Sequence, residues 1–197
     1  TWIPEFQDVR VNGESVGEPS LNAYLAGAHG VPIIMLSGCD RTIAQASGEA
    51  LGERVAYTRT KDSLGYFDGD HRPLDETRPL LRRTAERAVT DVDFHEPVRA
   101  DVPVTVEVDV AAEPFSSADQ NARWMIPHRG DVTYTDAELV MEFVDGVERD
   151  GETIRFTRDS FPDAYRKLHE ILLQIYERGI ENLIDDVAEP DAYARPD

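Results

Sequence analysis

The residue with the clearest opportunity for chemistry is Glu18, a carboxylate at a predicted junction between a strand and a helix. The preceding residues, 9–17, read Val-Arg-Val-Asn-Gly-Glu-Ser-Val-Gly, which predicts a strand, a tight turn at Asn12–Gly13 and a short return strand. Because α/β folds bind ligands where strands meet helices at the edge of the sheet, Glu18 is a candidate metal ligand or general base. The alternative is a surface carboxylate stabilised by the helix dipole.

Two further residues at a comparable junction are Asp40 and Cys39. Asp40 follows an apolar run in the way that Glu18 does, so it is a candidate for the same site, although a helix N-cap is the more ordinary interpretation. Cys39 is the single cysteine of the chain, which excludes an intrachain disulfide and a cysteine-based zinc site. We expect Cys39 to be a small buried thiol rather than a nucleophile.

The histidines and the first residue offer weaker possibilities. No two histidines have the spacing of a metal-binding motif, although His128 lies in a plausible loop; the five are His29, His71, His95, His128 and His169. An N-terminal threonine such as Thr1 can be a nucleophile activated by its own amine, but the helical rhythm of the chain disagrees with the stacked antiparallel sheets of such enzymes.

The elements that must position these residues alternate between strand and helix. The pattern predicts a helix capped by Ser20, a buried and parallel strand at 31–37, and a charged helix with Pro79 in its first turn. Residues 103–110 alternate between apolar and polar and predict a strand with one wetter face. A further strand and an amphipathic helix end the ordered part; Asp159 or Ser160 caps this helix, and its apolar stripe includes Tyr165. We therefore predict an α/β fold with a mixed, largely parallel sheet flanked by helices and a C-terminal strand-helix closing unit.

The predicted domain organisation is simple. Residues 1–184 form one α/β unit with a possible sub-boundary near 91–102, and residues 185–197 form an acidic, loosely ordered tail.

Composition limits the possible partners and surroundings. The formal net charge is −19 and only two of the 20 basic residues are lysines, Lys61 and Lys167, so we expect no nucleic-acid partner. No apolar run is long enough to predict a membrane span, and no signal peptide is recognisable, so we expect a cytoplasmic protein. Acidic residues spread along the chain are typical of a halophilic protein, in which salt screens the repulsion; an acidic mesophilic protein is the alternative.

Several ordered motifs resemble the D-aminopeptidase family of zinc peptidases, the type associated with dipeptide-transport operons. Residues 11–23, Val-Asn-Gly-Glu-Ser-Val-Gly-Glu-Pro-Ser-Leu-Asn-Ala, resemble the family's Val-Asn-Gly-x-x-Val-Gly-Glu-x-x-Leu-Asn-Ala. Residues 30–40, 60–65 and 153–165 are similar to further family segments, so the resemblance extends from about residue 8 to residue 173.

The resemblance implies a binuclear zinc aminopeptidase that acts on short peptides with an N-terminal D-residue and assembles as a homodecameric ring. It implies that Glu18 is a metal ligand. Asn22, one helical turn later, would then orient Glu18 or the substrate, and Asp40 is a further candidate for substrate binding. The family's first aspartate of Gly-Asp-Asp is Cys39 here, which departs from the pattern.

The family's other metal ligands are an Asp-x-Glu and two histidines, and its catalytic histidine directly precedes a pair like Thr1-Trp2. None of these residues has a counterpart in this sequence, which begins with Thr1-Trp2. We therefore expect a C-terminal portion that contains no catalytic residue, is inactive alone, and is completed by an N-terminal half or partner chain. A non-catalytic binding or assembly subunit of the same fold, and a hydrolase that uses Thr1 after autoprocessing, are the alternatives.

Overall fold

The structure is a computed structural model of the 197-residue chain, and it describes residues 6–65, 68–110 and 136–188. The described strands are β1 (Phe6–Val11), β2 (Glu14–Ser15), β3 (Met35–Cys39), β4 (Ala56–Ser63), β5 (Gly69–His71), β6 (Val104–Val110), β7 (Glu148–Asp150) and β8 (Thr153–Arg158). The described α-helices are α1 (Glu18–Ala28), α2 (Asp40–Gly48), α3 (Leu74–Thr90), α4 (Asp136–Phe143) and α5 (Phe161–Ala188), with a short 3₁₀ turn at Val92–Phe94. None of these helices is both long and apolar enough to cross a membrane.

The larger sheet has five strands in the order β2-β1-β6-β8-β7, and every neighbouring pair is antiparallel. β1 and β2 are joined by the predicted turn, in which Asn12 and Gly13 have φ angles of 52° and 86°. Positive φ at both central residues is what the hairpin requires, so the Asn-Gly prediction is confirmed.

The main core lies on one face of this sheet. Alternate residues of β6 and β8 are buried there, as the period of a half-buried strand demands. The apolar stripe of α5 covers them through Phe161, Leu168, Ile171 and Ile175, and α1 contributes Leu21. α5 begins where the sequence predicts, because the Ser160 hydroxyl accepts a hydrogen bond from the Asp163 amide (3.3 Å).

The opposite face of the larger sheet carries a network of ion pairs centred on Arg10. The Arg10 guanidinium binds both carboxylate oxygens of Asp109 (2.6 and 2.8 Å) and also contacts Asp8 (2.8 Å) and Glu107 (3.3 Å). Arg155 pairs with Glu107 from the next strand. Arg10 holds the pKa of Asp109 below its usual range, chiefly through these hydrogen bonds.

The smaller sheet has the order β3-β4-β5, and its β3–β4 pair is the parallel one among the described strands. The mixed α/β class is therefore confirmed, but the sheet is not largely parallel, because the five-stranded sheet is antiparallel throughout. The apolar run at 31–37 is also less buried than predicted: β3 begins only at Met35, and Val31 is 53% exposed. Two residues of this run, Ile33 and Leu36, are partly buried against the second core cluster, which consists of Ala23, Leu51 and Val55.

The starts of α1 and α3 differ from the prediction. Gly17, not Ser20, is the N-cap of α1. Pro79 is the sixth residue of α3 rather than part of its first turn. At that position the proline removes a hydrogen bond from the N–H of residue 79 to the Asp75 carbonyl, because only the first four N–H groups of a helix lack such a partner. Helix α5 continues to Ala188, and the remainder of the predicted tail, 189–197, lies outside the described residues, as do Thr1 and His128.

Candidate metal site at the start of helix α1

Glu18 is the first residue of α1, and its side chain is exposed. The preceding Gly17 is extended (φ −88°, ψ 173°) and is followed by Glu18 and Pro19, a typical start for a helix. At this position the carboxylate lies at the N-terminus of the helix, where a negatively charged side chain stabilises the helix through its dipole. Glu18 is therefore an accessible anionic oxygen donor on a rigid element.

The start of α1 is held in place by Glu49, which follows α2. The Oε2 atom of Glu49 accepts hydrogen bonds from the Gly17 amide (2.9 Å) and from the Ser20 hydroxyl (2.6 Å). Ser20 is completely buried, so its hydroxyl depends on this acceptor. Ser20 thus binds the residue that anchors the helix instead of capping it.

Sequence reasoning missed Glu49, since nothing in the local pattern links it to a helix that lies about thirty residues earlier. The packing is close as well, because a Cβ atom on Gly17 would lie 2.8 Å from Cδ of Gln45. The end of α2 is therefore the structural support of the segment that carries Glu18.

Asn22 lies one turn after Glu18 on the same face of α1, and the structure adds Tyr165 of α5 to this pair. The Tyr165 hydroxyl donates a hydrogen bond to Oδ1 of Asn22 (3.1 Å). Burial raises the pKa of Tyr165, and the negative charge of Glu18 raises it further. The sequence pattern assigned Tyr165 only to the apolar stripe of α5, and its hydroxyl gave no separate signal.

Asp40 is not brought to this group. It is the first residue of α2, with Cys39 as the N-cap, and its Oδ1 accepts a hydrogen bond from the Ser63 amide (2.8 Å). That hydrogen bond lowers the pKa of Asp40. Since a helix rises about 1.5 Å per residue, Asp40 lies ~13 Å along α2 from the Glu49 end, where α1 begins.

Cys39 is not buried as predicted, but half-exposed. Its Sγ caps α2 by accepting from the Thr42 amide (3.4 Å), and its contacts with Thr42 lower the pKa of the thiol.

The described residues do not form a complete zinc site. A catalytic zinc ion needs about three protein ligands and one open position. Among the side chains that the structure describes within 6–65, 68–110 and 136–175, no group of three or more His, Cys, Asp or Glu is arranged to hold a metal ion. Glu18 has the chemistry and exposure of one ligand, and a zinc ion bound there requires further donors from outside these ranges.

Comparisons with known proteins agree on one family. The family model described as D-aminopeptidase matches residues 1–133 of the 197. A solved structure, the Zn-dependent D-aminopeptidase DppA from Bacillus subtilis, a self-compartmentalizing protease, superimposes with a TM-score of 0.72 at 20% identity. The match covers 89% of this chain but only 56% of that protein, so the chain spans little more than half of its length. The curated proteins contain no significant match. The family match includes the hairpin, Glu18 and Asn22, and on this evidence the chain belongs to the D-aminopeptidase family.

Proposed function

We propose that the complete protein is a zinc-dependent aminopeptidase that hydrolyses short peptides with an N-terminal D-amino acid. The observation that carries this proposal is the position of Glu18 inside the family match, as an exposed carboxylate at the first residue of a firmly anchored helix. The zinc dependence and the D-aminopeptidase activity of the solved relative support the same reaction.

In this proposal the chain supplies one wall of the site. Glu18 would hold the metal through its carboxylate, and Asn22 would lie beside it on the next turn of α1. When bound, zinc polarises a peptide carbonyl and lowers the pKa of a coordinated water molecule. Because the described residues contain no second and third ligand near Glu18, these ranges alone are expected to be inactive, and the complete site requires donors from outside them.

We also propose that the protein acts as a homo-oligomer. The solved relative is described as self-compartmentalizing, which requires several copies to enclose a chamber. A decameric ring is the assembly expected from the family resemblance. Light scattering or analytical ultracentrifugation of the complete protein tests this, and a monomer at high salt would contradict it.

The decisive experiment compares the complete protein with its Glu18→Gln variant. Glutamine keeps the size of the side chain but removes the anionic donor. We expect the wild-type protein to contain zinc and to hydrolyse a D-alanyl dipeptide faster than its L-isomer. The variant should lose zinc affinity and activity by about 100-fold or more, because losing a ligand should cost at least as much as losing an outer hydrogen bond to one.

Glu53→Gln is the matched control, since Glu53 is also an exposed glutamate but lies in the turn between α2 and β4. It should bind zinc and hydrolyse the dipeptide as the wild type does. A complete protein that neither binds zinc nor cleaves the dipeptide would overturn the proposal.

That negative result would favour the second candidate, a non-catalytic binding or assembly subunit with the same fold. The observation in its favour is that the described residues contain no cluster of metal-binding side chains. Such a subunit would keep its oligomeric state when zinc is removed with a chelator, and Glu18→Gln would change nothing measurable.

A further inference from the structure

Helix α3 carries exposed arginines in a chain whose net charge is −19. The helix packs against β4, and its buried residues, Thr77, Thr84 and Ala88, lie on one side. Like charges four positions apart destabilise a helix, and α3 contains two such pairs. Among the residues that the structure describes, no carboxylate forms an ion pair with the four guanidinium groups, which belong to Arg78, Arg82, Arg83 and Arg87.

Two of these arginines lie in a row with exposed apolar residues. Positions four or seven apart lie on the same side of a helix, so Leu74, Arg78, Arg82 and Val89 follow one another along α3. We call this row the α3 stripe. Leu74 is 65% exposed and Val89 is 62% exposed. Arginine is enriched at protein interfaces, where surrounding contacts exclude water from it.

The apolar area continues beyond the end of α3. Val92 and Phe94 lie in the 3₁₀ turn that follows the helix, and Phe94 is 77% exposed. Single exposed apolar residues are ordinary on a protein surface. Here Val89, Val92 and Phe94 fall within six consecutive positions beside unpaired arginines. This combination indicates a contact surface rather than a solvated helix face.

A surface of opposite charge lies at one edge of the larger sheet. β7 is the last strand in the sheet order, and all three of its residues are exposed. Arg149, the single basic residue in 136–152, contacts Glu138 (3.9 Å) and Glu152 (3.4 Å). Met141 and Phe143 of α4 add exposed apolar area. The carboxylates that form no ion pair within the described part of the chain, which we call the β7 edge, are Glu142, Asp145, Glu148 and Asp150.

We propose that the α3 stripe of one copy binds the β7 edge of a second copy of this chain. The two surfaces are opposite in charge, and each includes exposed apolar side chains. Neither surface suits a copy of itself, because like charges facing each other across an interface are unfavourable. The contact therefore joins two different surfaces head to tail, and such contacts produce a ring when the rotation closes. This inference rests on the proposed homo-oligomer and adds which surfaces form its contact.

The test measures self-association of the complete protein by analytical ultracentrifugation, at KCl concentrations where circular dichroism shows it folded. Arg78→Glu/Arg82→Glu reverses the charge of the stripe at exposed positions, which keeps the effect on folding small. Arg83→Glu/Arg87→Glu is the matched control, because it makes the same charge change with the same spacing on the other flank of α3. A combined variant adds Glu142→Arg/Glu148→Arg to the reversed stripe and restores the net charge of the wild type.

We expect Arg78→Glu/Arg82→Glu to weaken self-association about 100-fold or more, since carboxylates then face carboxylates. The matched control should associate as the wild type does. The combined variant should recover most of the wild-type association, because both surfaces are reversed together. The difference between the wild type and the reversed stripe should shrink as KCl rises, since salt screens exposed charges.

Several results would overturn the inference. The α3 stripe is not the contact if its reversal leaves association unchanged, or if the matched control weakens association equally. The β7 edge is not its partner if the combined variant fails to recover. If stripe reversal lowers the Tm of the protein without changing its association, the stripe contacts another part of the same molecule.

The outcomes also separate this inference from the proposed function. A wild type that is monomeric at every KCl concentration where it is folded refutes the proposed homo-oligomer, and this inference with it. A wild-type oligomer that survives reversal of the stripe refutes this inference alone. Zinc content and hydrolysis of the D-alanyl dipeptide, measured on the wild type, test the proposed activity independently of both.

Discussion

Replacing Glu49 with alanine tests whether the start of α1 depends on an anchor from α2. The substitution removes the acceptor of both the Gly17 amide and the Ser20 hydroxyl. Losing the acceptor of a helix N-terminal N–H costs about 1 kcal/mol. Leaving the fully buried Ser20 hydroxyl without a partner costs about 1–3 kcal/mol more.

We therefore expect Glu49→Ala to lower the free energy of unfolding by about 3 kcal/mol. In a protein of this size that corresponds to a fall in Tm of about 9 °C. Urea denaturation followed by circular dichroism measures the first quantity, and calorimetry measures the second. In the complete protein, zinc affinity should fall as well, because the segment that carries Glu18 loses its support.

Two controls make the result interpretable. Glu53→Ala removes a nearby exposed glutamate and should change stability by no more than about 0.5 kcal/mol. Ser20→Ala should destabilise the wild type but not the Glu49→Ala variant, since the second background has already lost the bond. If Glu49→Ala is no less stable than Glu53→Ala, Glu49 does not anchor α1.

Three further predictions concern the rest of the fold. Arg10→Met should lower the free energy of unfolding in urea by about 2 kcal/mol at neutral pH, because it removes the guanidinium that binds both carboxylate oxygens of Asp109. Arg10 lowers the pKa of Asp109 in the folded state, so its contribution to stability is present above the unfolded pKa of about 4 and is lost as the pH falls through the folded pKa. The free energies of unfolding of the wild type and of Arg10→Met should therefore converge in acid. A difference between them that stays unchanged at low pH would contradict this. Gly27→Ala should cost about 3 kcal/mol or prevent folding, since its Cβ would lie 1.6 Å from the Val98 carbonyl oxygen, whereas alanine at the open Gly48 should be tolerated. With a net charge of −19, Tm should rise as KCl increases from about 0.1 M to about 2 M, and a Tm maximum at low salt would refute the halophilic interpretation.

Local patterns predicted much of the fold. The Asn12–Gly13 turn, the alternating strand β6 and the apolar stripe of α5 each depend on residues close together in the chain, and each was confirmed. The antiparallel direction of neighbouring strands in the larger sheet was not predictable from such local patterns. β1 pairs with β6 and β6 with β8, and the apolar residues of one strand do not specify the orientation of its neighbours.

The same distinction between nearby and distant residues applies to the candidate site. Glu18 and Asn22 were predictable because they are four residues apart in one motif. Glu49 and Tyr165 were not, because each reaches α1 from a distant segment, and their local sequences suggested only a helix end and an apolar stripe. Asp40 does not group with Glu18, because Asp40 begins α2 whereas the start of α1 is bonded to Glu49, beyond the other end of α2.

The pairing of β1 with β6 has a consequence for how the chain acquires its structure. Arg10 and its partner Glu107 are separated by 97 positions, so β1 can pair with β6 only after the intervening segment has been synthesised. Forming such distant contacts is slow, because the intervening loop must first be closed at an entropic cost. The contact between Asn22 and Tyr165 forms later still in synthesis. Glu49 is far nearer to α1 in the chain, so the anchor at the start of α1 can form before the contact with Tyr165 does.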